Sequence, residues 1–136
     1  MSAPNRSVPQ FVIEVSPGEL LDRISILEIK SERIGDRDKL RNINHELDLY
    51  RGTISGKIPD SEAMTRLIGD LKDVNGSLWT IEDEIRACEA RRDFGERFVE
   101  LARSVYRTND RRASIKREIN ILCGSAIIEE KSYTRY

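Results

Sequence analysis

The chain has 136 residues, 38% of them hydrophobic and 35% charged, with 23 basic and 24 acidic side chains and a single histidine. That length suits one ordinary domain, and no apolar run nears the ~18–20 residues a bilayer-spanning helix needs. One histidine and no Cys-x-x-Cys pair speak against a zinc site or a Ser/His/Asp triad, and four prolines with eight glycines leave room for long helices.

Residues 1–10 read as a flexible, polar tail without the apolar stretch of a secretory leader, ahead of one helical domain over 11–136. Phe11-Val12-Ile13-Glu14-Val15 is a short β-prone run. Ser16-Pro17-Gly18-Glu19 follows, with a serine suited to cap a helix, a proline at the first helical position and a glutamate three residues on, which together make a capping box. The helix it opens carries two apolar lines. One is Leu20, Ile24, Leu27 and Ile34; the other is Ile26, Ile29, Leu40, Ile43, Leu47 and Tyr50. Either one helix runs from 17 to about 50, or it breaks at Gly35. A helix apolar on two sides is central or lies in an interface between copies, which points to a homo-oligomer.

Residues 51–60 read as a loop, with Asp60 or Ser61 as the next cap. Met64, Leu67, Leu71, Val74, Leu78, Ile81, Ile85 and Cys88 then repeat at alternating steps of three and four residues. Such a heptad predicts side-by-side packing at shallow angles, as in an antiparallel bundle. After a turn near Arg91-Arg92-Asp93, Phe94, Phe98, Leu101, Val105, Ile115, Ile119 and Leu122 continue the pattern, interrupted by Thr108 and Arg112. Asn109 either lies mid-helix or caps a new helix, and Gly124 is the expected stop. The end of the chain, 126–136, reads as strand or extended and could pair with 11–15. The predicted fold class is all-α, an antiparallel bundle of three to four long helices with at most a short N-terminal strand. Cys88 and Cys123 fall on apolar helical positions, as buried, reduced thiols do in the cytosol.

Beside the heptad of the helix over 64–88 runs a second line, Asn75, Trp79, Glu82 and Arg86, and beside that of the next helix run Tyr106, Asn109 and Lys116, with Arg112 on the core line itself. Folding about 91–92 brings these lines to similar levels, so the eight residues Asn75, Trp79, Glu82, Arg86, Tyr106, Asn109, Arg112 and Lys116 are the candidate ligand-binding set. Arginine offers a planar donor fork for phosphate or carboxylate, and Trp and Tyr offer flat faces for a base or sugar ring. The expected ligand is an anionic small molecule, with no cofactor, no metal and no catalytic residue assigned. Glu82 and Arg86 also fit a plain i, i+4 surface pair. Arg112 on an apolar line needs an internal carboxylate, such as Glu82 or Glu28, or a ligand anion. The acid pair Glu19/Asp22 sits in a first turn, where acids favour the helix dipole.

Residues 91–136 carry 11 basic and 7 acidic side chains, with Arg103, Arg107 and Arg111 on one face. That excess is modest for a nucleic-acid binder, so nucleic acid is not the expected partner. The alternative to a ligand site is a protein–protein assembly module whose polar lines only solvate its seams.

Several stretches resemble a family of small bacterial proteins known only as a domain of unknown function. They are Ser-Pro-Gly-Glu-Leu-Leu-Asp-Arg-Ile at 16–24 with Leu-Glu-Ile-Lys at 27–30, then Asn75 with Leu-Trp-Thr-Ile-Glu-Asp at 78–83 and Arg86. Asn109-Asp110, Ile-Lys-Arg-Glu-Ile-Asn at 115–120, Gly124-Ser125 and Glu-Glu-Lys-Ser-Tyr at 129–133 complete the set. The middle block is similar to a second family of the same kind. Such families resemble genes found near surface-polysaccharide and glycosyltransferase loci, which implies a bacterial, cytoplasmic setting in surface-glycan metabolism and implies no reaction.

Overall fold

A computed structural model describes residues 8–136, so most of the tail expected over 1–10 lies outside the described residues. It contains four helices: α1 (Pro17–Arg33), α2 (Arg37–Ile54), α3 (Glu62–Ala90) and α4 (Glu96–Cys123). Ser16 caps α1 by accepting the Glu19 backbone N–H at 3.2 Å, with Pro17 at the first position. Only half of the expected capping box forms. The Glu19 carboxylate turns instead to Lys116 and Arg23, at 2.7 and 3.1 Å, because two cations outcompete one backbone amide for it.

The chain breaks before Gly35. Ile34 is extended, and Asp36 caps α2 by accepting from the Lys39 amide at 2.9 Å. Leu20, Ile24, Leu27 and Ile34 of the first segment pack against Ile43, Leu47 and Tyr50 of the second. The apolar line that changes face in the sequence is thus a line folded back on itself. α2 continues through the expected loop start to Ile54, whose side chain packs into both core clusters. Ser61 caps α3.

α1 therefore buries both of its faces within the chain. Ile24 and Leu27 face α2, while Leu21 joins Met64, Leu67, Leu71 and Val74 of α3 and Ile115 and Ile119 of α4. α3 and α4 form the long antiparallel hairpin that the heptad predicts. Ile81 and Ile85 are only half-buried, because α1 ends at Arg33, level with Thr80, and beyond it α3 has α4 alone for cover. α4 runs unbroken through Thr108–Arg112 and stops at Gly124, whose left-handed φ of 67° closes the end. The Ser125 amide reaches back to the Asn120 carbonyl at 2.9 Å.

There is no strand among the described residues. Residues 11–15 form no strand and lie exposed, with Phe11 91% and Val12 92% exposed. The C-terminal segment that would have paired with them is a strap running back along α4, held by side chains. Glu129 lies 3.4 Å from Lys116, Glu130 lies 3.1 Å from Arg117, and the Tyr136 hydroxyl donates to Asp110 at 2.5 Å.

Candidate functional site

Where α1 crosses α3 and α4, four polar side chains are buried: Asp22, Ser25, Asn75 and Asn120. Asp22 is 1% exposed and organises three of the helices. Its carboxylate accepts from Arg112 Nε at 2.9 Å and from Arg112 Nη2, a bidentate fork, and from Asn75 Nδ2 at 2.8 Å. Asn75 also donates to Ser25 Oγ at 2.7 Å, and that hydroxyl donates to the Asp22 carbonyl at 2.8 Å. One turn along α4, Lys116 lies 2.7 Å from Glu19 and 3.9 Å from Asp22. One turn further, Asn120 Oδ1 accepts the buried Gly18 amide at 2.7 Å. A side chain at position 18 would place Cβ 2.5 Å from the Lys116 carbonyl oxygen, so only glycine allows α1 to start this close to α4. Among the described residues no buried side-chain polar atom lacks a partner.

The charges are tuned to each other. The hydrogen bond from Lys116 holds the Glu19 carboxyl below its ordinary range, against the opposing effect of burial. Burial alone would lower Lys116, but the Glu19 hydrogen bond and the charges of Asp22, Glu19 and Glu129 raise it above the ordinary lysine value. The Asp22 hydrogen bond raises Arg112 in the same way. Both cations stay charged at any ordinary pH.

On one side of Arg112 lies a groove of about 340 Å³. Ile26 and Ile29 of α1 and Leu78 and Trp79 of α3 form its apolar wall, and Asn75, Glu82, Asp83, Arg86 and Arg112 supply its polar positions. The Arg33 guanidinium lies 5.9 Å from the centre of the Trp79 ring. That size and mixture are those of a small-molecule cleft. On the other side of Arg112, Tyr106 and Asn109 face the strap across a larger cavity. Lys116 sits beyond it in a small recess with Asn120 and Glu129.

The structure thus distributes the eight residues singled out by spacing. Asn75, Trp79, Glu82, Arg86 and Arg112 share the groove; Tyr106 and Asn109 share a cavity with Arg112; Lys116 belongs to a partly buried set of ion pairs with Glu19 and Asp22. The groove is walled by α1 as much as by the α3–α4 pair. The internal partner of Arg112 is neither Glu82, which pairs with Arg86 at 3.3 Å, nor Glu28, which lies 3.6 Å from Lys72 and from Arg51. It is Asp22, because burial of α1 against α4 leaves that carboxylate no water and no other guanidinium. Asp22, Ser25, Gly18 and Asn120 lie outside the sequence-based set. The signal that could have found Asp22 is its position, one residue after Leu21 and so on the edge of a core line. Among the described residues no cluster of three or more His, Cys, Asp or Glu has the geometry to hold a metal ion, and no helix is long and apolar enough to cross a membrane.

The chain belongs to the Family of unknown function (DUF6165), whose profile matches residues 11–136. No curated protein and no solved structure matches it. The segments that carry the family resemblance at 16–24, 75–86 and 115–120 hold Gly18, Glu19, Asp22, Asn75, Lys116 and Asn120, so they meet at the α1–α3–α4 crossing.

Proposed function

We propose that this protein is a binding module for a phosphorylated sugar or nucleotide sugar, acting in the bacterial cytoplasm as an accessory of surface-glycan metabolism. One observation carries the reading: five residues chosen by spacing converge on a single groove around an arginine whose direction is fixed by a buried carboxylate. Trp79 offers a flat face for a ring, and Glu82 and Asp83 offer acceptors for sugar hydroxyls. Arg86 and the donors of Arg112 that Asp22 leaves open are suited to phosphate. The glycan setting rests on the resemblance described above.

Trp79 is the only tryptophan, so intrinsic fluorescence reads the groove directly. Titration with UDP-glucose should change that emission saturably, and Arg86→Ala should weaken the affinity about tenfold without changing the fold, since its side chain is 81% exposed. No change up to millimolar UDP-glucose and glucose 1-phosphate would defeat the reading.

A second reading, assembly of identical copies, draws on the exposed apolar run Phe11, Val12 and Ile13. It predicts that a Phe11→Ser, Val12→Ser, Ile13→Ser triple variant lowers the mass seen by light scattering. A monomer at micromolar concentration in the unaltered protein would remove it.

A further inference from the structure

Between the strap and α4 lies an open cavity of about 1040 Å³, and Arg112 is the lining residue it shares with the groove. Tyr106 and Tyr136 meet edge to face at its wall, their ring centres 5.1 Å apart, and Tyr133 lines it with them. Asn109 supplies an amide, and Arg112, Lys131 and Arg135 supply positive charge. Asp110 is the one carboxylate side chain of the lining, and the Tyr136 hydroxyl already occupies it. The strap's own acids pair elsewhere, Glu129 with Lys116 and Glu130 with Arg117. Outside the cavity, Arg103, Arg107 and Arg111 stand exposed along α4, with no ion pair to any described residue.

We propose that this cavity is a second site, which binds a nucleoside polyphosphate. The tyrosines provide the flat, partly apolar faces on which a nucleobase stacks, and every base has such a face to offer. Lys131, Arg135 and the open donors of Arg112 provide charge-assisted hydrogen bonds for a phosphate chain, in a rim whose arginines attract a polyanion before contact. Asn109 can both donate to and accept from a base edge or ribose hydroxyl. The strap is held by side-chain contacts that are mostly exposed, so it can yield to admit the ligand without disturbing the helices.

Isothermal titration calorimetry on the full chain tests the site with adenosine triphosphate, inorganic tripolyphosphate, adenosine and an oligothymidine strand. The nucleotide should bind saturably, with tripolyphosphate and adenosine each at least tenfold weaker. Lys131→Glu combined with Arg135→Glu should weaken it at least tenfold with the melting curve unchanged, and Trp79→Leu should leave its affinity as it was. Equal affinity for tripolyphosphate would reduce the site to a basic surface, and tighter binding of the oligonucleotide would make it a strand-binding face; either overturns the proposal. So would no heat up to millimolar nucleotide, or an undiminished affinity in the charge-reversed variant. Loss of binding in Trp79→Leu alone would move the nucleotide to the groove, which overturns this site and leaves the groove reading standing.

Discussion

Removing Arg112 should harm the protein more than removing the carboxylate it pairs with, and removing both should harm it less than removing Arg112 alone. Asp22 is 1% exposed, whereas the Arg112 side chain is 29% exposed. In Arg112→Ala the stranded partner is a carboxylate buried between three helices. It keeps the Asn75 amide, and its next cation, Lys116, is 3.9 Å away and already engaged by Glu19. Breaking a buried pair from one side costs about 3–5 kcal/mol. For a chain of this length, that is roughly 10 °C or more in Tm. In Asp22→Ala the stranded partner is a guanidinium that can turn outward to solvent, so about half that loss is expected. The double variant has no stranded charge and should regain on the order of 1–2 kcal/mol over Arg112→Ala, a non-additivity expected of contacting residues. Urea unfolding followed by circular dichroism at a fixed pH near 7 measures all three. Additive losses, or an Asp22→Ala variant less stable than Arg112→Ala, would refute the reasoning.

Gly18→Ala should lower stability by roughly 1–3 kcal/mol, because its Cβ meets backbone at 2.5 Å and α1 must move off α4; a variant as stable as the parent would show that the approach is looser than described. The pH dependence follows from the lowered Glu19. Its contribution is present above its unfolded value near 4.5 and is lost as pH falls through the lower folded value, so acid should weaken the protein less in Lys116→Met than in the parent. Acid titrations of stability that superimpose would remove this pair as the cause. Leu71→Ala, at a fully buried position, should cost about 2–5 kcal/mol and clearly more than Ile85→Ala on the half-covered end of the hairpin; equal losses in chemical denaturation would mean that the far end is as well packed as the crossing.

Helix positions were legible because they rest on local rules. Ser16-Pro17 and Gly124 mark ends through backbone chemistry, and the heptad from Met64 to Cys88 encodes the long hairpin through its period. The break at Gly35 stayed ambiguous, since Asp36 is a good cap but glycine is also tolerated inside helices; what decides it is the gain from folding Ile43 and Leu47 back onto Ile24 and Leu27, which is tertiary. The strand that the sequence allows over 11–15 does not form, for a related reason. Branched residues favour extended backbone, but a strand needs an edge, and the strap that might have supplied one is drawn along α4 by Lys116, Arg117 and Asp110. In the site, Arg112 stood out as a charge on an apolar line, while Asp22 looked like an ordinary first-turn acid until α1 was placed against α4.

That pairing changes how the groove has to be tested. The residue that points most plainly to an anion is also the one whose loss strands a buried carboxylate, so Arg112→Ala removes binding whether or not Arg112 touches a ligand. Lys116 and Asn75 carry the same ambiguity, since each holds α1 in place. Trp79, Glu82 and Arg86 do not. They line the groove from the outer side of α3, and Arg86 and Glu82 spend only an exposed i, i+4 contact, worth about 0.2–0.5 kcal/mol. Loss of UDP-glucose binding in Glu82→Gln or Arg86→Ala, with Tm held within about 2 °C, therefore separates a ligand site from a structural crossing in a way that no change at Arg112 can.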